Sequence, residues 1–178
     1  MSTIETEFDI APAIISADYL GARMMTVNIL ALDLGTQLGW STRDANGRIR
    51  HGSVSFHAKR NDGPGQRWLR FTAHLSALKR EVGEFHVCYY EDVKRHAGTQ
   101  AAHAYGAFES HLQVFCDINR IRLEAVGVGQ IKKSWTGNGA AKKESMIAEA
   151  HRRGFNPADD NAADSLAILH YGMAREIV

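Results

Sequence analysis

Three acidic residues stand out by position. Asp33 ends the apolar run Val27-Asn28-Ile29-Leu30-Ala31-Leu32, Glu91 ends the aromatic run Val87-Cys88-Tyr89-Tyr90, and Asp164 lies more than a turn inside an apolar segment near the C-terminus. A carboxylate in such surroundings is costly unless it is paired or binds a cation. Each has an ordinary explanation of its own: Asp33 could cap the turn at Gly35, and Glu91 could pair with Lys94 or Arg95. Together, at the ends of two strands and on one helix, they point to a metal cluster, and several hard oxygen ligands suit Mg²⁺ or Mn²⁺. Asp160 and Asn161 stand four and three residues before Asp164, so either shares a helical face with it. Asp159 reads instead as the helix N-cap.

The second chemical signal is basic. Arg120, Arg122, Lys132, Lys133, Lys142, Lys143, Arg152 and Arg153 fall within residues 119–155, against Glu124, Glu144 and Glu149 as the acids. Gly137-Asn138-Gly139 separates Lys132 and Lys133 from Lys142 and Lys143, placing Lys132 and Lys143 on flanking elements. Phosphate binding is the chemistry this stretch offers. Arg152 and Arg153 read better as a solvated helical face.

The elements that must position these groups follow from the pattern. Residues 27–33 form a strand apolar enough to be buried on both faces. Residues 38–42 return, Asn46-Gly47 turns the chain, and a third strand runs over about 49–56. A helix follows, with Trp68, Phe71, Leu75, Leu78 and Val82 at helical spacing, ended by Gly83. Then come a strand over 86–91, an Ala-rich helix over 99–115, a strand over 122–126, and helices over 129–135, 141–153 and 160–175. Ala162, Ala163 and Ala167 allow the last helix to approach the sheet closely. Three antiparallel strands followed by alternating helix and strand give an α/β domain, a mixed five-stranded sheet flanked by helices, the order of ribonuclease H-like folds.

Composition bounds the rest. The chain has 178 residues, 44% hydrophobic and 23% charged, with a formal net charge of +1. This fits one ordinary domain and excludes a strongly basic, tail-type binder, but a local basic stripe can hide in a neutral total. Cys88 and Cys116 lie in apolar stretches and read as reduced core thiols. No apolar run approaches the roughly 20 residues needed to span a membrane, and the acidic N-terminus is unlike a secretory signal. The expectation is a cytoplasmic protein with an N-terminal extension over 1–24, including a short helix within 12–22, and one domain over 25–178.

The motifs in series resemble the RuvC family of Holliday-junction resolvases. Ile29-Leu-Ala-Leu-Asp33-Leu-Gly35-Thr36-Gln37-Leu-Gly39-Trp40 is similar to its first-strand motif, and Tyr90-Glu91-Asp92-Val93 to its second acidic motif. The strongest likeness is Gly129-Gln-Ile-Lys132-Lys-Ser-Trp-Thr-Gly137-Asn-Gly139-Ala-Ala-Lys-Lys143, continuing through Asn156-Pro157 to Asn161-Ala-Ala-Asp164-Ser-Leu-Ala. The resemblance covers roughly residues 27–172. It implies a ribonuclease H-like nuclease domain, a homodimer, and cleavage of four-way and other branched DNA with two Mg²⁺ or Mn²⁺ ions per site. It implies nicks that leave 5′ phosphate and 3′ hydroxyl. By position it makes Asp33, Glu91 and Asp164 metal ligands and catalytic residues, and Lys132 and Lys143 the lysines beside the site. The family commonly carries a fourth acid where Asn161 stands; Asp160, one position earlier, is the alternative. Lys132, Lys133, Lys142, Lys143, Lys94 and Arg95 are the expected DNA contacts. Lys94 occupies a place where some members carry an aromatic that stacks on a base, leaving His96 or Tyr90 for that role.

Other readings stand beside this one. The Asp33-Leu-Gly35-Thr36 turn also resembles the first phosphate motif of sugar kinases and chaperone ATPases, but those need a second domain and a second Gly-rich loop. A nuclease of the same fold acting on flaps, forks or RNA/DNA hybrid would carry the same carboxylates. A branched-DNA-binding protein without catalysis would keep the basic stretch.

Overall fold

The computed structural model describes residues 27–94 and 98–176. The expected extension over 1–24, its short helix, Arg95 and His96 lie outside the described residues.

Five strands form one sheet: β1 (Ile29–Asp33), β2 (Gln37–Arg43), β3 (Ile49–Ser55), β4 (Val87–Asp92) and β5 (Arg122–Gly127), in the order β3-β2-β1-β4-β5. β1, β2 and β3 pair antiparallel, and β1, β4 and β5 pair parallel. The hairpin between β2 and β3 turns at Gly47, whose φ of +79° lies in the region that favours glycine. The Asp44 carboxylate accepts the backbone N–H groups of Asn46 and Arg48, each at 2.9 Å. The mixed sheet expected from the sequence is therefore present.

Side chains alternate across the sheet and build two cores. On one face Leu30, Leu32, Leu38, Cys88 and Tyr90 meet Phe71 and Leu75 of α1 (Gln66–Val82) and Phe108 and Leu112 of α2 (Thr99–Asn119). On the other face Ile29, Ala31, Val87, Tyr89 and Val126 meet α3 (Val128–Thr136), α4 (Lys143–Arg152) and α5 (Asp160–Glu176). β1 is central and covered on both faces, which is why its sequence is apolar without alternation. Cys88 and Cys116 are buried free thiols.

α5 crosses the second face at close range. A Cβ on Gly39 would lie 1.9 Å from the main-chain oxygen of Asn161, and one on Gly172 would lie 2.6 Å from the ring of Tyr89. Between these points the Ser41 hydroxyl donates to the Ser165 carbonyl at 2.7 Å. Ala162, Ala163 and Ala167 are buried in the contact, as their size predicts. No described helix is long and apolar enough to cross a membrane.

Candidate metal centre and nucleic-acid interface

The period of two carries Asp33 onto the face of Ile29 and Ala31, and Glu91 onto the face of Val87 and Tyr89. β1 and β4 are parallel neighbours, registered through Leu32 and Tyr90. Asp33 and Glu91 are the next residues along, so both carboxylates sit at the carboxyl end of the two central strands, under α5. Asp164 reaches the same place from the second turn of α5. The helix start is fixed by Asp159, whose side chain accepts the N–H of Ala162 at 2.9 Å and the hydroxyl of Ser53. Asp159 is thus the N-cap, as its position predicts.

The electrostatics show the convergence. Burial pushes the Asp33 carboxyl well above its ordinary range, and the charges of Glu91, Asp164 and Asp160 push it further. Burial and then the charge of Asp164 raise Glu91 to about 7, opposed by Lys132. Burial raises Asp164 to about 6, opposed by Lys132 and Lys143 and reinforced by Asp160. No hydrogen bond contributes to any of these three shifts. Asp160 behaves differently: its hydrogen bond from the Lys143 ammonium lowers it. Like charges gathered in a poorly hydrated place without donors are the condition that a bound cation relieves.

Among the described residues no group of three His, Cys, Asp or Glu side chains already forms a set that could hold a metal ion. The acids converge, and Asp160 is held by Lys143 at the mouth. The donor set still fits a hard divalent cation, because it consists of carboxylate oxygens with no internal partner. Asn161 presents its main chain to Gly39, and its amide nitrogen lies 3.5 Å from Asp160 Oδ1.

The expected lysines divide into two groups. Lys132, half-buried on α3, and Lys143, at the first position of α4, reach the acids electrostatically. Lys133 and Lys142 are exposed, and neither alters the acids. Lys94 is exposed and paired with Asp92 rather than with Glu91. Arg152 and Arg153 both clasp Glu149; Arg153 also lies 4.1 Å from the Trp135 ring centroid and braces α4 against α3, while Arg152 stays on the exposed face of α4.

Tyr90 cannot stack on a base. It points into the core beneath α2, 6% exposed, with its hydroxyl donating to Glu109 at 2.8 Å. Its neighbour Glu91 faces the site because alternate residues face opposite sides.

Two residues matter here that the sequence did not single out for this role. The Tyr105 hydroxyl of α2 donates to the main-chain carbonyl of Glu91 at 2.7 Å and accepts the N–H of Val93 at 3.3 Å. It clasps the strand end that carries Glu91. Gly39 admits the first turn of α5. Only its place in the first motif marked Gly39, and nothing local marked Tyr105.

No protein-family model matches the sequence, and no curated protein does. Solved structures do match. The structure is similar to T. thermophilus RuvC in complex with a Holliday junction substrate, with a TM-score of 0.71 at 19% identity over 85% of this chain and 96% of that one. It is similar to a second Thermus thermophilus RuvC structure, with a TM-score of 0.63 at 22% identity over 84% of this chain and 96% of that one. It is also similar to the yeast mitochondrial Holliday junction resolvase Ydc2, with a TM-score of 0.61 at 14% identity over 85% of this chain and 79% of that one. At these identities the likeness speaks for architecture, and the chain has the ribonuclease H-like fold seen in the RuvC resolvases.

Proposed function

We propose that this chain is a divalent-metal-dependent endonuclease that resolves four-way DNA junctions and related branched DNA by paired nicks. The observation that carries the reading is the convergence of the half-buried Asp33, Glu91 and Asp164, none hydrogen-bonded through its carboxylate to a described residue, where α5 passes the carboxyl ends of two central strands. The fold likeness to a RuvC bound to a Holliday junction supports the substrate.

Asp33, Glu91 and Asp164 would hold Mg²⁺ or Mn²⁺, with Asp160 or Asn161 completing the set. When bound, the ions lower the pKa of water and neutralise charge on the scissile phosphate and its leaving 3′ oxygen. The protein groups do the rest. Asp33, on the most central strand, fixes the centre of the site. Lys132 and Lys143 offset phosphate charge at its edge. Lys133, Lys142 and Lys94, with Arg95, supply contacts along the duplex backbone. A homodimer would place two such sites about a two-fold axis, matching the symmetry of a four-way junction.

The test is cleavage of synthetic four-way junction, flap and linear duplex in Mg²⁺, with Asp33→Asn as the control. Symmetric nicks in the junction, absent in Asp33→Asn, carry the proposal. Cutting of the flap with the junction intact would reassign the substrate. Junction binding without cutting in any divalent metal would make this a structure-selective binding protein.

A further inference from the structure

The loop between β3 and α1 has no part in the reading above. β3 leaves the sheet at Ser55, paired with Gln37, and the Phe56 N–H donates to the Thr36 carbonyl at 2.7 Å. Thr36 lies in the turn that directly follows Asp33. The loop therefore emerges at the same end of the sheet as the acids, and it runs into α1, on the face opposite α5.

This loop is held in shape. Asp62 Oδ2 accepts the Lys59 N–H at 2.7 Å and the Arg70 guanidinium at 2.8 Å, and Arg70 also donates to the His57 carbonyl at 3.2 Å. The bond from Arg70, then that from Lys59, holds the Asp62 carboxyl below its ordinary range. The loop's one acid is thereby occupied. Lys59 and Arg60 project exposed from the turn, and Arg67 follows half-exposed on the first turn of α1. None of these three forms an ion pair with a described residue, although Lys59 lies close enough to act on Asp62 through space.

We infer that Lys59, Arg60 and Arg67 form a second phosphate-contact surface, which receives the backbone of a duplex DNA arm on the α1 side of the acids. The inference rests on the nuclease reading, since it takes DNA as the partner. Lys132 and Lys143 flank the acids from the α5 face, and the new surface flanks them from the opposite face. Only a substrate with duplex on both sides of the scissile phosphate engages both. Phosphate contacts of this kind orient the nucleic acid and carry no sequence information. A pinned loop presents them at little ordering cost.

The experiment compares the wild-type chain with Lys59→Ala/Arg60→Ala and with Arg80→Ala, an exposed residue in the last turn of α1 at the opposite end of the sheet. Binding of a fluorescent four-way junction is followed by anisotropy in EDTA from low to high NaCl. The double variant is expected to bind about ten-fold more weakly near 0.1 M salt, with a log–log salt slope shallower by about 2, roughly 0.9 per lost phosphate contact. Arg80→Ala is expected to match the wild type. A double variant with wild-type affinity and slope overturns the inference while leaving the nuclease reading intact. A wild type that neither binds nor cuts any of these DNAs overturns both.

Discussion

The main-chain oxygen of Asn161 stands where a side chain on Gly39 would have to be: an added Cβ would lie 1.9 Å from it. The contact seats the first turn of α5 on β2 and so sets the depth at which Asp164 enters the site. Gly39→Ala must push backbone against backbone. We expect a loss of about 3 kcal/mol, the upper range for overpacking, with nicking reduced beyond the loss of folded protein. Gly35→Ala is the comparison, because its added Cβ meets nothing closer than 3.4 Å. Urea denaturation of both variants checks this.

The crowded carboxylates predict a stability profile with a definite sign. Glu91 is raised to about 7 when folded, against an ordinary 4.5. The folded state therefore holds a proton that the unfolded state has already lost. The cost of the ionised form is fully present above pH 7, and it disappears as pH falls toward 4.5. In EDTA, Glu91→Gln should be more stable than wild type at pH 8 and equal to it near pH 4.5. Mg²⁺ should raise the melting temperature of the wild type more at pH 8 than at pH 6, because bound metal displaces those protons. Calorimetry at both pH values measures the two effects.

His170 acts in the opposite direction. It packs between the rings of Trp135 and Phe155, its Nε2 has no partner, and burial followed by the Arg153 charge lowers it to about 4. Glu149 opposes that shift. A depressed histidine contributes stability that is present above its unfolded pKa near 6.5 and lost as pH falls to about 4. His170→Leu should therefore gain on the wild type by about 2 kcal/mol between pH 7.5 and pH 4.5, allowing for partial solvent screening. Comparing variant with wild type cancels the carboxylates, which titrate in the same range.

Tyr105 offers a test of how the Glu91 strand end is held. Tyr105→Phe keeps the ring in its core but strips a donor from the Glu91 carbonyl and an acceptor from the Val93 N–H. A lost buried hydrogen bond costs about 1 kcal/mol. We expect junction affinity in EDTA to be unchanged and the Mg²⁺ concentration for half-maximal nicking to rise about five- to ten-fold. A variant that melts earlier but keeps the wild-type Mg²⁺ requirement would reduce Tyr105 to a packing role.

The sequence disclosed most where chemistry and periodicity coincide. The convergence of Asp33, Glu91 and Asp164 was legible because a carboxylate that ends an apolar strand, or lies inside an apolar helical segment, is an exception that needs a cause. Asp159 was legible as a cap because capping is local. Tyr105 was not, because its partner lies 14 residues upstream on β4, and its spacing from Phe108 and Leu112 is that of any helical core residue. The ordinary explanation of Glu91 as a partner of Lys94 could not be decided from the sequence, because adjacency does not say which way a strand residue faces; Asp92, on the opposite face, takes Lys94. Tyr90 failed as a base-stacking group for the same reason.

α5 is tied at both ends. Its start is held by Ser53 on β3 through Asp159, and its last turn by Tyr89 on β4 and Arg122 on β5 through Glu176. The helix works as a girder laid across all five strands, with Asp164 a quarter of the way along. Such a part has no cheap partial failure: the strand array and the acid-bearing helix must come apart in one event. Heat should therefore abolish nicking and secondary structure at one temperature, with no window in which a folded domain has lost its site.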